Sequence, residues 1–156
     1  MRTILGIDPG FGRMGFGCLR IRPGRLEVLD YGIASTKTGM EFSARLVSLA
    51  KDVDDLLDTH KPDVVSIEKL YFTKNEKTAM QVAEARGVIL YLCAKRGIKI
   101  VEFTPPQVKK AVGGSGTADK KGMIRVVSEI LKLKKTTKFD DAADALAIAL
   151  AASAMR

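Results

Sequence analysis

The sequence predicts an α/β layered fold, and three observations carry that reading. Short apolar runs of strand length recur at 3–8, 63–68 and 98–103. Longer segments with helical spacing separate them, at 41–59 and from about 76 to 96. Two further apolar-rich segments, 14–21 and 25–34, flank the turn signal Arg22-Pro23-Gly24 and read as a hairpin. The order is β-β-β-α-β-α-β-α-α-α, a sheet layered with helices.

The elements follow in turn. Residues 3–8 form a buried strand ending at Asp8. In 41–59, Phe42, Leu46, Leu49, Val53 and Leu56 share one helical face, and Lys61-Pro62 ends the helix. Asp63 to Glu68 form a second buried strand. Asn75 suits the N-cap of the next helix and Gly97 its stop. A strand at 98–103 precedes Pro105-Pro106, which opens a short helix ending near Gly113 and Gly114. Thr117 is the expected cap of a helix reaching about 133, and Asp140 that of a last helix running to the chain end. With no repeat and no linker, 1–156 reads as a single domain.

Charge narrows the partners. A net charge of +8 favours a polyanion, nucleic acid first and an anionic membrane surface second. A merely solvated basic surface is the competing reading. No apolar run reaches membrane-spanning length. The start MRTILGIDPG is too short and too acidic for a signal peptide, so cytoplasmic placement is the expectation. Cys18 and Cys93 sit in apolar contexts and read as reduced core residues. His60, the lone histidine, falls at a helix end, where it serves the carbonyls. Histidine-rich metal sites are thereby excluded and a Ser-His-Asp triad is disfavoured.

Gly10-Phe11-Gly12-Arg13-Met14-Gly15 is a literal G-x-G-x-x-G. A dinucleotide site needs a helix to start inside that loop. Here Gly15 and Gly17 follow, each costing roughly 1 kcal/mol in a helix, and the chain runs on into the hairpin. Asp30 stands at a tempting distance for a ribose contact, but without the crossover helix no cofactor site is expected.

The residue of interest is Asp8. A carboxylate ending a buried strand is costly unless paired or bound to metal. Alone, it would read as an Asx cap of the Pro9-Gly10 turn. Glu68 repeats the situation after Val64-Val65-Ser66-Ile67, with pairing to Lys69 as its plain alternative. Asp141 and Asp144 are three apart in FDDAADALAIAL and share a helix face. Helix-start electrostatics would account for Asp140 but poorly for Asp144, which is set among alanines and Leu146. Four carboxylates without histidine or thiol make a hard, all-oxygen site suited to Mg²⁺ or Mn²⁺. Two such ions about 3.5–4 Å apart support phosphodiester cleavage, and a basic body makes a nuclease the expectation.

The motifs GIDPG, SIEKLYFTKN, Ala85-Arg86-Gly87, PPQVKKAVGGSGTADK and DAADALAIA, in this order, resemble the RuvC family of Holliday-junction resolvases. The resemblance runs from the first strand to the last helix. It implies an RNase H-like layered fold with a mixed five-stranded sheet flanked by helices. It also implies a homodimer that resolves four-way DNA junctions by paired nicks in homologous recombination and DNA repair. The implied cofactor is Mg²⁺, two per active site, with Mn²⁺ able to substitute. A branch-migration motor complex is the implied partner.

By the same resemblance, the catalytic, metal-holding carboxylates fall on Asp8, Glu68, Asp141 and Asp144. The aromatic near the strand-exchange point falls on Tyr71, with Phe72 beside it. The catalytic-loop lysines fall on Lys109 and Lys120, and Lys74 and Lys110 are grouped with them as DNA contacts. Exposed aromatics can also stack on unpaired bases on general grounds, against the alternative of ordinary loop packing. Lysines 132, 134, 135 and 138 are expected only to complement a helix C-terminus. Two departures stand out: Met14 where the family often has threonine, and an end at Arg156 without the basic tail many members carry.

Other readings remain at this point. They are a binding module that does not cut, a related nuclease or RNA-processing enzyme, and an actin-class kinase, which would need a second domain. The 76–96 helix is the expected dimer face through Met80, Val82, Ala83, Val88, Ile89 and Leu92, with Gly87 permitting close approach.

Overall fold

In the computed structural model, residues 1–70, 76–113, 119–134 and 137–155 are described. The strands are β1 (Arg2–Asp8), β2 (Arg13–Arg22), β3 (Arg25–Ser35), β4 (Val64–Glu68) and β5 (Lys99–Phe103). The helices are α1 (Phe42–His60), α2 (Glu76–Lys95), α3 (Pro105–Gly113), α4 (Lys120–Leu131) and α5 (Thr137–Ser153). The described strands form one five-stranded sheet in the order β3-β2-β1-β4-β5. β1, β2 and β3 pair antiparallel, while β4 and β5 continue parallel to β1. The expected mixed α/β sheet is therefore present. No helix among the described residues is long and apolar enough to cross a membrane.

The sheet separates two cores. Side chains alternate faces along a strand, so Ile4 packs with α5 while Leu5 and Ile7 pack with α1 and α2. On the α5 side lie Val108 of α3, Met123 and Val127 of α4, and Phe139, Ala143 and the run from Leu146 to Ala152 of α5. On the other side lie Leu49, Val53 and Leu57 of α1 with Ala85, Ile89 and Cys93 of α2. Cys18 and Cys93 are free and buried. Burial pushes their thiols up to about 12 and about 11, which suits inert core residues.

Helix α5 sits unusually close to the strands because Gly6 and Gly17 give it room. A Cβ on Gly6 would lie 2.2 Å from the Ala145 carbonyl oxygen and 2.7 Å from the Ala149 nitrogen. A Cβ on Gly17 would lie 2.7 Å from Leu146 Cδ2. Ser66, buried on the same face, donates to the Ile148 carbonyl at 2.9 Å. At Gly6 the alanines read in α5 thus meet a small residue of the sheet.

Several expectations are corrected. Asp140 lies in the first turn of α5, which begins at Thr137, so it is not the cap. The cap of α4 is Asp119, whose carboxylate accepts from Gly122 N at 2.7 Å; Thr117 lies outside the described residues. Lys138 opens α5 rather than ending a helix, and its ammonium stands 5.1 Å from the Tyr31 ring centre. Lys132, by contrast, is the left-handed C-cap of α4. Ile89 and Leu92 of α2 are buried in this chain's own core. Met80 and Gly87, from the same expected set, are exposed, and Tyr91 joins them on that face. A helix apolar on most sides hides which side faces out, because one periodic pattern fits either choice. His60 ends α1 as expected and also stands 3.4 Å from Asp30, which therefore serves the far side of the sheet rather than a ribose.

Candidate active site

Register alone gathers the first two carboxylates. β1 and β4 run parallel with Ile7 opposite Ile67, so Asp8 and Glu68 follow at the carboxyl ends of adjacent strands. Ile7 and Ile67 both enter the α1–α2 core. The next residue on each strand must face the α5 side. A Cβ at Gly15, the β2 partner of Asp8, would be 3.4 Å from Asp8 Cβ and 3.5 Å from Ala145 Cβ. Asp144, adjacent to Ala145, is thereby carried to the same corner.

The electrostatics record that convergence. Burial raises the Asp8 carboxyl to about 6, helped by the Asp144 charge and opposed by Lys120. Burial likewise raises Glu68 to about 7, with the charges of Asp8 and Asp144 adding to it. Lys120, the first residue of α4, places its ammonium 3.7 Å from Asp144 Oδ2. Both of these side chains are substantially exposed, so the pair contributes little to stability.

This is an excess of negative charge in a half-buried corner with one cation reaching in. Among the described residues, no three acidic, histidine or cysteine side chains yet stand at metal-holding distances. Asp141 lies three residues before Asp144 in α5, and its side chain is outside the described part. The donor set is all oxygen and its mutual repulsion is relieved by a bound cation, so it fits a hard divalent ion.

The remaining expected contacts divide. Tyr71, Phe72 and Lys74 lie outside the described residues. Lys109 is half-buried and Lys110 exposed on α3, and among the described residues Lys120 reaches a site carboxylate, Asp144. Lys69 does not pair with Glu68; its backbone N–H donates to the Phe103 carbonyl at 2.8 Å. Met14 is buried in the α1–α2 core, on the opposite face from Asp8, so its difference from threonine leaves the carboxylate's surroundings alone. A cavity of about 430 Å³ opens beside Glu68, lined also by Pro9, Lys69, Leu70, Val82 and Pro105.

One residue of the site went unassigned in the sequence. Arg86 of α2 donates from Nε to the Glu68 carbonyl at 3.1 Å and pairs with Glu102 at 2.7 Å. Its only signal was its place in the Ala85-Arg86-Gly87 motif, which carried no role.

A mixed five-stranded sheet with acidic residues at the ends of neighbouring parallel strands, closed by an acidic helix, is an RNase H-like arrangement. Residues 4–152 match the family described as crossover junction endodeoxyribonuclease RuvC, and the chain belongs to that family. The crossover junction endodeoxyribonuclease RuvC of Petrotoga mobilis is 48% identical over 147 residues, 94% of this chain and 90% of that one. The RuvC of Pseudothermotoga lettingae is 41% identical over 153 residues, covering 98% and 94%. Thermus thermophilus RuvC in complex with a Holliday junction substrate matches with a TM-score of 0.89 at 28% identity. That match covers 98% of this chain and 93% of that one.

Proposed function

We propose that this chain is a Holliday-junction resolvase that cuts four-way DNA junctions by paired, divalent-metal-dependent nicks. The observation that carries the reading is the convergence of Asp8, Glu68 and Asp144 at the carboxyl ends of β1 and β4 in a member of the RuvC family. Asp8, Glu68, Asp141 and Asp144 would hold the metal, two Mg²⁺ per site, with Mn²⁺ able to substitute. Mg²⁺ bound there supplies Lewis acidity for an attacking water and a leaving alkoxide.

The chain's own residues do the rest. Once ionised, Asp8 and Glu68 give the corner its negative charge. Lys120 brings a positive charge to the rim, where a non-bridging phosphate oxygen can be met. Lys109 and Lys110 of α3 are read as further contacts to the DNA backbone. Tyr71 and Phe72 follow Glu68 closely in the chain and are assigned to the junction's exchange point, and Lys74 to the DNA backbone. The net charge of +8 draws the polyanion in.

The unit of function is a homodimer, since symmetric resolution needs two sites. It is supported by the exposed Met80, Gly87 and Tyr91 on α2. A single domain over 1–156, a cytoplasmic setting and cooperation with a branch-migration motor complete the reading. Cleavage of synthetic four-way junctions, linear duplex and RNA, each with and without Mg²⁺, tests it. Cutting of junctions only with metal is expected; equal cutting of linear duplex would assign the fold to a different nuclease.

A further inference from the structure

A cavity of about 580 Å³ lies beside the carboxylates but takes no part in holding them. Its floor is the β1–β2 turn, Gly10 to Arg13. Its walls are the segment after β3, the first turn of α1 at Arg45, and the start of α2 at Thr78 and Val82. Two arginines and four hydroxyl residues line it, and no acidic residue does so among those described. That lining selects for an anion.

Arg45 is already set for one. Its Nε donates to the Met40 carbonyl at 3.3 Å, and its guanidinium stands 5.7 Å from the Phe11 ring centre. Phe11 is braced in turn by edge contact with Phe42. These contacts occupy Nε and one flat face and leave the terminal nitrogens toward Gly12, where an added Cβ would meet Nη1 at 3.8 Å. Among the described residues Arg45 has no carboxylate partner. Such a planar, pre-oriented fork matches a phosphate.

The cavity also continues into the site. It shares Val82 with the cavity beside Glu68, and the two are lined by the consecutive residues Gly10 and Pro9. A backbone lying over Glu68 can therefore pass across Pro9-Gly10 to Arg45 without leaving a groove.

From this we infer that the Arg45 groove is a second phosphodiester site. It holds the backbone of the DNA arm leading away from the cut, with Arg45 as the anchoring donor and Arg13, Ser35 and Thr38 around it. This rests on the junction-binding reading above. The groove fixes where the arm lies, whereas the carboxylates act on the scissile phosphate alone.

The test is junction binding by fluorescence anisotropy across a salt series, with Ca²⁺ in place of Mg²⁺, for wild type, Arg45→Ala and Thr38→Asp. Thr38 is exposed, so Thr38→Asp adds a repelling charge to the groove without touching the contacts of Arg45. Arg45→Ala should weaken binding roughly tenfold and lower the log K against log salt slope by about one. Thr38→Asp should weaken binding comparably at low salt. Unchanged affinity and slope in both variants overturn the groove while leaving the functional reading intact. Loss in Arg45→Ala without loss in Thr38→Asp assigns the effect to the fold of α1's first turn, and also overturns it. Wild-type chain that fails to bind junctions sinks the functional reading itself.

Discussion

Arg86 and Glu68 are joined through the main chain: the guanidinium Nε donates to the Glu68 carbonyl at 3.1 Å, not to its carboxylate. Nη2 of the same guanidinium pairs with Glu102 of β5 at 2.7 Å. With Lys69 N bonded to the Phe103 carbonyl, the end of β4 is held from both sides just where its side chain must face α5. The Arg86 side chain is only 15% exposed, so its loss would remove a donor from a part-buried carbonyl. If Glu68 holds metal as proposed, Arg86→Ala should lower kcat about 10–100-fold, with junction Kd nearly unchanged. Arg86→Lys should rescue little, because an ammonium lacks the planar, fixed pair of donors that meets both acceptors at once. Single-turnover cleavage beside anisotropy separates the two. A fall in binding equal to the fall in cleavage would make Arg86 a merely structural residue.

Asp144→Asn should abolish strand cleavage and leave junction binding intact or slightly stronger. Asparagine keeps the shape beside Ala145 but cannot hold a cation by charge. The corner also loses one of the charges that raise Asp8 and Glu68. Thermal stability without metal should therefore rise, and the increment added by Mg²⁺ should shrink. A nicking time course, a gel shift and paired melts measure all three; wild-type cleavage would remove Asp144 from the site.

Asp8 and Glu68 also set a pH dependence. Their folded values, about 6 and about 7, lie above the ordinary carboxylate values of 3.8 and 4.5. Between about pH 4 and 7 the folded chain binds more protons than the unfolded chain, so these groups reduce stability as pH rises through that window. Metal-free melting temperature should show this downward contribution from pH 4 to 7 and none from this pair above it. Mg²⁺ competes with those protons, so its stabilisation should be larger at pH 8 than at pH 5. Asp8→Asn, compared across the series, isolates the contribution. An equal Mg²⁺ increment at both pH values would contradict the assignment.

The α2 face gives a prediction on assembly. Met80 and Tyr91 are 69% and 62% exposed, and a side chain added at Gly87 would meet nothing within 4 Å. Gly87→Glu should leave the fold intact, even favouring the helix by up to about 1 kcal/mol, yet split the proposed dimer. Sedimentation at micromolar concentration reads the outcome. A dimer that persists through Gly87→Glu and Tyr91→Glu would place the interface elsewhere.

What the sequence disclosed followed from periodicity. Asp8 and Glu68 each end a short apolar run, so their common face follows once β1 and β4 are paired in parallel. The hairpin at Pro23-Gly24 and the helix stops at Lys61 and Gly97 were equally legible, because each is a local steric rule. Boundaries where two cap signals compete were not: Asp140 looked like a cap, yet α5 begins at Thr137. Nor were the roles of Arg86 and Arg45. A single arginine on an amphipathic helix does not say which carbonyl or ring it will meet, since that depends on how α1 and α2 settle on the sheet.

The seat of α5 on Gly6 has a further meaning as a mechanical tolerance. Ala145, whose carbonyl would be 2.2 Å from any Cβ there, is the chain neighbour of Asp144. Whatever lifts the helix off β1 lifts that carboxylate away from Asp8 by a similar amount. Ångström-scale spacing between strand-borne and helix-borne carboxylates is thus gauged by a methyl group that is missing. The finest dimension of the site is kept by a residue with no side chain to offer it.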